Sequence, residues 1–185
     1  IGYKIPILDL YKLKKRLKSK LALDATASVG LEKNHSFSDV AAFSSCKGLF
    51  GLTGGSFVVF NSKNYNKINQ FNLDVNNHLN KKMTGPYHAI CSLYDVLKNY
   101  NKFKHAVVVN KKYFLMKMEK YLVYPIKNQP NLCTLINQKI YSKNENIILY
   151  QSRADITGSV VCHLGEVHLK TKARGKIIDS IKLNV

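Results

Sequence analysis

Tryptophan is absent from this 185-residue chain, and acidic side chains number only 11. Of its 29 basic residues, only Arg16, Arg153 and Arg174 are arginine; the others are lysine. Proteins that read nucleic acid spend arginine on phosphate forks and base edges. The formal net charge of +18 therefore reads as a solvated lysine surface, and a nucleic-acid partner is not expected. No apolar run approaches the roughly 20 residues that a membrane-crossing helix needs. Ala106–Val109 is among the longest, so no membrane partner is expected either. The first ten residues carry Lys4, Pro6 and Asp9 without a small-residue cleavage pattern, which does not read as a signal peptide. The four cysteines (Cys46, Cys91, Cys133 and Cys162) show no C-x-x-C spacing. They read as free thiols in a reducing compartment, which makes a cytoplasmic location the expectation. Cys162, His163 and His168 lack a second ligand pair at zinc spacing, so no metal site is expected.

What is present is the mix of a folded chain: 45% apolar and 22% charged residues. Leu10, Leu13 and Leu17 at helical spacing among lysines predict an amphipathic surface helix over Ile7–Lys20. Leu21–Leu23 reads as a strand closing on Asp24. Val40–Phe43 reads as a second strand leading into Ser44-Ser45-Cys46-Lys47, and Ser56–Phe60 as a third. The polar, Asn-rich segment Tyr65–Lys82 predicts a loop with short helical content, and Tyr87–Tyr100 a long helix through Ile90, Leu93 and Leu97. Further on, Tyr113–Tyr121 predicts helix. Leu132–Ile136, Ile147–Tyr150 and Ser159–His163 predict short strands, and Ala173–Leu183 a helix or mixed tail. The pattern changes near Lys104. It gives an α/β expectation: 1–103 as the second half of an α/β domain, and 104–185 as a small α+β domain.

Asp24 and Lys47 carry the chemistry. Open α/β sheets hold ligands at the carboxyl ends of their strands. A desolvated amine in that position is a Schiff-base nucleophile. A neighbouring carboxylate can hold a proton on a pyridine nitrogen. Ser44, Ser45 and the turn amides could take a phosphate. Read from the residues alone, the same Asp and Lys also describe a surface ion pair. Cys46 reads as a reactive thiol or a small filler, and His35 and His88 as structural histidines. Tyr87, Tyr94 and Tyr100 read as core and interface.

The stretch Leu23-Asp24-Ala25-Thr26-Ala27-Ser28-Val29-Gly30, followed by Asp39-Val40-Ala41-Ala42-Phe43-Ser44-Ser45-Cys46-Lys47-Gly48, resembles the cofactor region of class V pyridoxal-phosphate (PLP) aminotransferases. It is most like the 2-aminoethylphosphonate–pyruvate transaminases and the alanine–glyoxylate/serine–pyruvate aminotransferases. Those enzymes carry D-A-x-S-S-x-G and then S-x-x-K, and Met83-Thr84-Gly85-Pro86-Tyr87-His88 resembles their T-P-P-x-H turn. The resemblance implies part of a fold-type-I PLP enzyme with pyridoxal 5′-phosphate as cofactor. It implies Lys47 as the cofactor-linked lysine, Asp24 facing the ring nitrogen and Ser44 contacting the phosphate. Thr84 would reach the phosphate of a partner subunit in a homodimer. The implied reaction moves an amino group between a small amino compound, possibly 2-aminoethylphosphonate, and pyruvate or another 2-oxo acid.

Where the family places its carboxylate-gripping Arg (R-I-G-x-x-G), this chain has Val160, and Arg153 is the candidate substitute. The family's N-terminal part, with its phosphate cradle and stacking aromatic, has no counterpart in these 185 residues. The expectation is therefore a piece of a longer enzyme. The alternative is a catalytically inactive relative whose lysine-rich surface binds an acidic partner.

Overall fold

The computed structural model describes residues 2–61, 70, 74–80, 85–147, 149 and 157–184. Helix α1 (Ile7–Leu17) ends at Lys18, whose left-handed backbone stops it. The helix is tied down where Lys14 meets Asp39 at 2.6 Å and Tyr11 stacks on Phe37. The same Asp39 carboxylate accepts the Leu21 N–H at 2.8 Å, which fixes the entry to strand β1 (Ala22–Asp24). Strand β1 pairs in parallel with β2 (Val40–Ser44), and β2 pairs antiparallel with β3 (Ser56–Phe60). The parallel pair brings the carboxyl ends of β1 and β2 to one edge, with Asp24 opposite Ala42.

After the short helix α2 (Val75–Asn80) come α3 (Tyr87–Lys98) and α4 (Tyr100–Met118). The periodicity of α3 is correct, but its faces differ from the simple expectation. Ala89 and Leu93 are buried, while Tyr87, Ile90, Tyr94 and Leu97 form an exposed apolar row. Tyr87 and Tyr94 are therefore not core residues in this chain. Helix α4 begins well before the helix expected at Tyr113, and it runs unbroken through residues 103 and 104. Then follow β4 (Cys133–Ile136), β5 (Ile140–Ser142), β6 (Ser159–Cys162), α5 (Thr171–Ser180) and β7 (Ile181–Leu183). Two antiparallel pairs result, β4 with β6 and β5 with β7. Of the strand expected at 147–150, Ile147 and Leu149 are described and neither is in a strand. The segment Tyr65–Lys82 is described only at 70 and 74–80.

Side chains alternate across β4 and β6, so this pair has two apolar faces. Cys133, Leu135 and Val160 pack with Leu31, Phe50 and Val107. Ile136 and Val161 pack instead with Phe114, Met118, Ile178 and Ile181. The first cluster joins residues from both sides of position 103 into one core.

His163 lies under the second face, 2% exposed, with Nε2 2.8 Å from Thr134 Oγ1. Burial, together with the charge of Lys111, lowers its pKa to about 3. The imidazole thus stays neutral when folded, while in the unfolded chain it takes a proton near its ordinary value. Its contribution to stability is present above about pH 6.5 and is lost as the pH falls toward the folded value. Between about pH 7 and pH 5 the loss should be roughly 2 kcal/mol, read as a falling urea midpoint. His163→Gln should flatten that slope. Parallel profiles for the two proteins would assign the loss to other groups.

Candidate active site

Asp24 ends β1, and its Oδ1 accepts the Thr26 backbone N–H at 3.0 Å. That bond, helped by the Thr26 side chain, holds the carboxyl below the usual carboxylate range against a small opposing effect of burial. The Ala25 N–H donates to Ala42 O at 2.7 Å, extending the parallel pairing one step beyond the strand. The chain then turns tightly, with the Ser28 and Val29 amides returning to Ala25 O. The carboxylate is thereby presented on an edge, exposed and acceptor-only. That is the character needed to face a protonated ring nitrogen.

Lys47 follows β2 on a turn braced from beneath by Ser45. Ser45 is fully buried; its Oγ reaches Leu52 O and Gly55 O, and its N–H donates to Gly55 O at 2.9 Å. The Phe50 N–H closes the turn on Lys47 O at 3.0 Å. From the far side, the Tyr100 hydroxyl donates to Gly48 O at 3.1 Å, and burial pushes that phenol's pKa up. Gly48 fits because nothing larger would: a Cβ there would stand 2.2 Å from Val29 O. The turn after β1 and the turn after β2 are thus pressed together, which sets Lys47 relative to Asp24.

Both side chains line one cavity of about 970 Å³. Among the described residues no salt bridge joins the two, and Asp24 Oδ1 is engaged by the Thr26 N–H. Lys47 is exposed, so the described residues do not supply the water-poor surroundings expected from its place at a strand end. Ser44 Oγ lies 3.3 Å from Cys46 Sγ and does not line this cavity, and Ser45 is consumed in the turn. Thr84 and Arg153 lie outside the described residues.

Three groups line the cavity wall that the sequence did not place there: Glu32, Cys133 and Cys162. Glu32 pairs with Lys4 at 3.0 Å and accepts the Asn131 N–H at 2.7 Å, joining the β1 turn to a loop a hundred residues away. Cys133 and Cys162 lie on the same wall. His35 proves structural, 2.8 Å from Ser28 Oγ, with a pKa lowered by burial. Among the described residues, no group of three or more His, Cys, Asp or Glu is placed to hold a metal. No helix among them is long and apolar enough to cross a membrane.

The α/β fold, a parallel strand pair beside a helix-backed antiparallel sheet, is similar to part of the fold of aminotransferases of known structure. The chain superposes on alanine–glyoxylate aminotransferase from Nostoc sp. with a TM-score of 0.59 and 18% identity, covering 79% of this chain and 44% of that one. It superposes on a phosphoserine aminotransferase from Cytophaga hutchinsonii with a TM-score of 0.71 and 14% identity, covering 97% and 59%. It therefore spans about half the length of these structures. No family model matches the sequence, and no curated protein matches it.

Proposed function

We propose that this chain is the cofactor-lysine part of a PLP-dependent aminotransferase of the class V type. The observation that carries the reading is the convergence of Asp24 and Lys47 on one cavity at the carboxyl edge of a parallel strand pair, within an aminotransferase-like fold. The residues present suit the ring nitrogen and the aldehyde of pyridoxal phosphate, with an ionised acceptor for the first and a primary amine for the second. The cavity is large enough for both cofactor and substrate. For the cofactor's phosphate, Ser44 is the proposed contact from this chain and Thr84 of a partner subunit the proposed second one, in a homodimer.

When bound, the cofactor supplies an electron sink for the charge left when a Cα proton is removed. Asp24 holds the proton on the ring nitrogen, and its hydrogen bond from Thr26 keeps it anionic for that work. Lys47 Nζ would hold the cofactor's aldehyde carbon, and the same amine would serve as the base for the donor's Cα proton. The donor is a small amino compound, 2-aminoethylphosphonate being one, and the acceptor is pyruvate or another 2-oxo acid. Arg153 is the proposed carboxylate clamp in place of Val160. Residues 1–103 complete the cofactor domain and residues 104–185 form the small domain, with α4 carrying the chain across and the core around Leu31 and Val107 shared by both; the enzyme is cytoplasmic.

Borohydride reduction of the protein after incubation with pyridoxal phosphate tests this. The expected result is a near-stoichiometric adduct on Lys47, lost in Lys47→Ala while the adducts on other lysines are unchanged. An adduct spread evenly over the surface lysines would overturn the reading and favour the inactive, acid-binding alternative.

A further inference from the structure

We infer that Cys133 and Cys162 form a thiol–disulfide site across β4 and β6, on the wall of the Lys47 cavity, that closes by exchange with a low-molecular-weight disulfide of the glutathione type. The two residues stand directly opposite in the antiparallel register. The next pair along, Leu132 and His163, is a hydrogen-bonded one, with the His163 N–H donating to Leu132 O at 2.8 Å. Hydrogen-bonded and non-hydrogen-bonded pairs alternate, so Cys133 and Cys162 occupy a non-hydrogen-bonded position, where opposing Cα atoms approach to about 4.5 Å. That separation is within the span a disulfide bridges. Both side chains also point the same way, because both line the cavity that holds Asp24 and Lys47.

The two thiols differ in a manner that orders the exchange. Cys162 is exposed and Cys133 is buried, and both are free. Burial, reinforced by Cys162, pushes the Cys133 thiol up, while the Lys47 charge works weakly the other way. Cys162 as thiolate attacks one sulfur of the small disulfide and expels the first thiolate, which takes up a proton. Cys133 then gives up its proton and displaces the second half, closing the protein bond. Two protein thiols lose two electrons, and one small disulfide becomes two thiols. Cys46 and Cys91 have no partner at this spacing: one sits on the Lys47 turn and the other on the outer side of α3. The inference stands on the β4–β6 register and does not depend on the cofactor reading.

The test equilibrates the full chain with mixtures of reduced and oxidised glutathione, quenches with acid and maps peptides without reduction. The expected outcome is a linked Cys133–Cys162 peptide pair in most chains, a mass lower by two hydrogens, and Cys46 and Cys91 still open to alkylation. In Cys162→Ser the link is lost and Cys133 remains a thiol. In Cys133→Ser, Cys162 stops at the glutathione mixed disulfide. Wild-type chains that end as that mixed disulfide on Cys162 with no internal link would overturn the inference. So would Cys133 linked to Cys46 or Cys91.

Discussion

Replacing Arg174 by alanine should lower the unfolding free energy by about 4 kcal/mol and the melting temperature by roughly 10 °C. Arg174 lies on α5, 6% exposed, and has no carboxylate partner among the described residues. Its charge is met by hydrogen bonds alone. Nε donates to Asn110 Oδ1 at 2.8 Å, one terminal nitrogen to Leu169 O, and the other to Thr171 Oγ1 at 3.2 Å. Asn110 passes the constraint on, its Nδ2 donating to His163 O at 3.2 Å and to Gly165 O at 3.3 Å. The guanidinium therefore fixes α5, α4 and the turn after β6 together. Truncation strands Asn110 Oδ1 and Leu169 O in a buried site, at about 1–3 kcal/mol each, and removes the packing of the stem. Arg174→Lys should recover little, since one ammonium cannot span three acceptors in a fork. Urea denaturation measures both variants. A shift of the alanine variant below about 1 kcal/mol would mean that the desolvation of the cation cancels its bonds.

Gly48→Ala should be the second severe lesion, and it reaches the site as well as the fold. The added methyl group would stand 2.2 Å from Val29 O and 3.2 Å from Val29 C, both backbone atoms that cannot swing aside. The two turns must part, stretching the Gly48 N–H to Thr26 O and the Tyr100 hydroxyl to Gly48 O contacts. Overpacking against rigid backbone costs about 3 kcal/mol, a melting shift of roughly 5–10 °C in a chain of this size. Lys47 would move relative to Asp24, so its borohydride-trapped adduct should decline while adducts on distant lysines persist. Gly165→Ala is the matched control, because a Cβ there meets nothing within 4 Å. Equal melting temperatures for the two variants would show that the contact between the turns is dispensable.

What the sequence made legible was local. Strands β1, β2 and β3 announced themselves as short apolar runs ending in polar turns, and Asp24 and Lys47 stood out because each follows such a run. Only the second half of α4 shows in the sequence pattern, because its buried face includes Asn110 while Val108, Tyr113 and Met116 on other faces are exposed, which blurs the apolar stripe. Strands β5 and β7 are three residues each and pair across about forty residues of chain, so neither carries a pattern of its own. The Arg174–Asn110–His163 group joins residues more than fifty positions apart, and only packing shows that an arginine with no paired acid among the described residues is satisfied. Hydroxyls beside a strand-end lysine suggest a phosphate donor at Ser45. Its burial under the turn is a tertiary fact.

The exposed row on α3 sets the colloidal behaviour of the isolated chain. Tyr87, Ile90, Tyr94 and Leu97 offer a sticky strip, and a net charge of +18 is what keeps copies apart. That repulsion reaches about 10 Å at 0.1 M salt and about 3 Å at 1 M. Concentrated salt, a common remedy for a basic protein that clings to columns, would here remove the force that holds the strips away from one another.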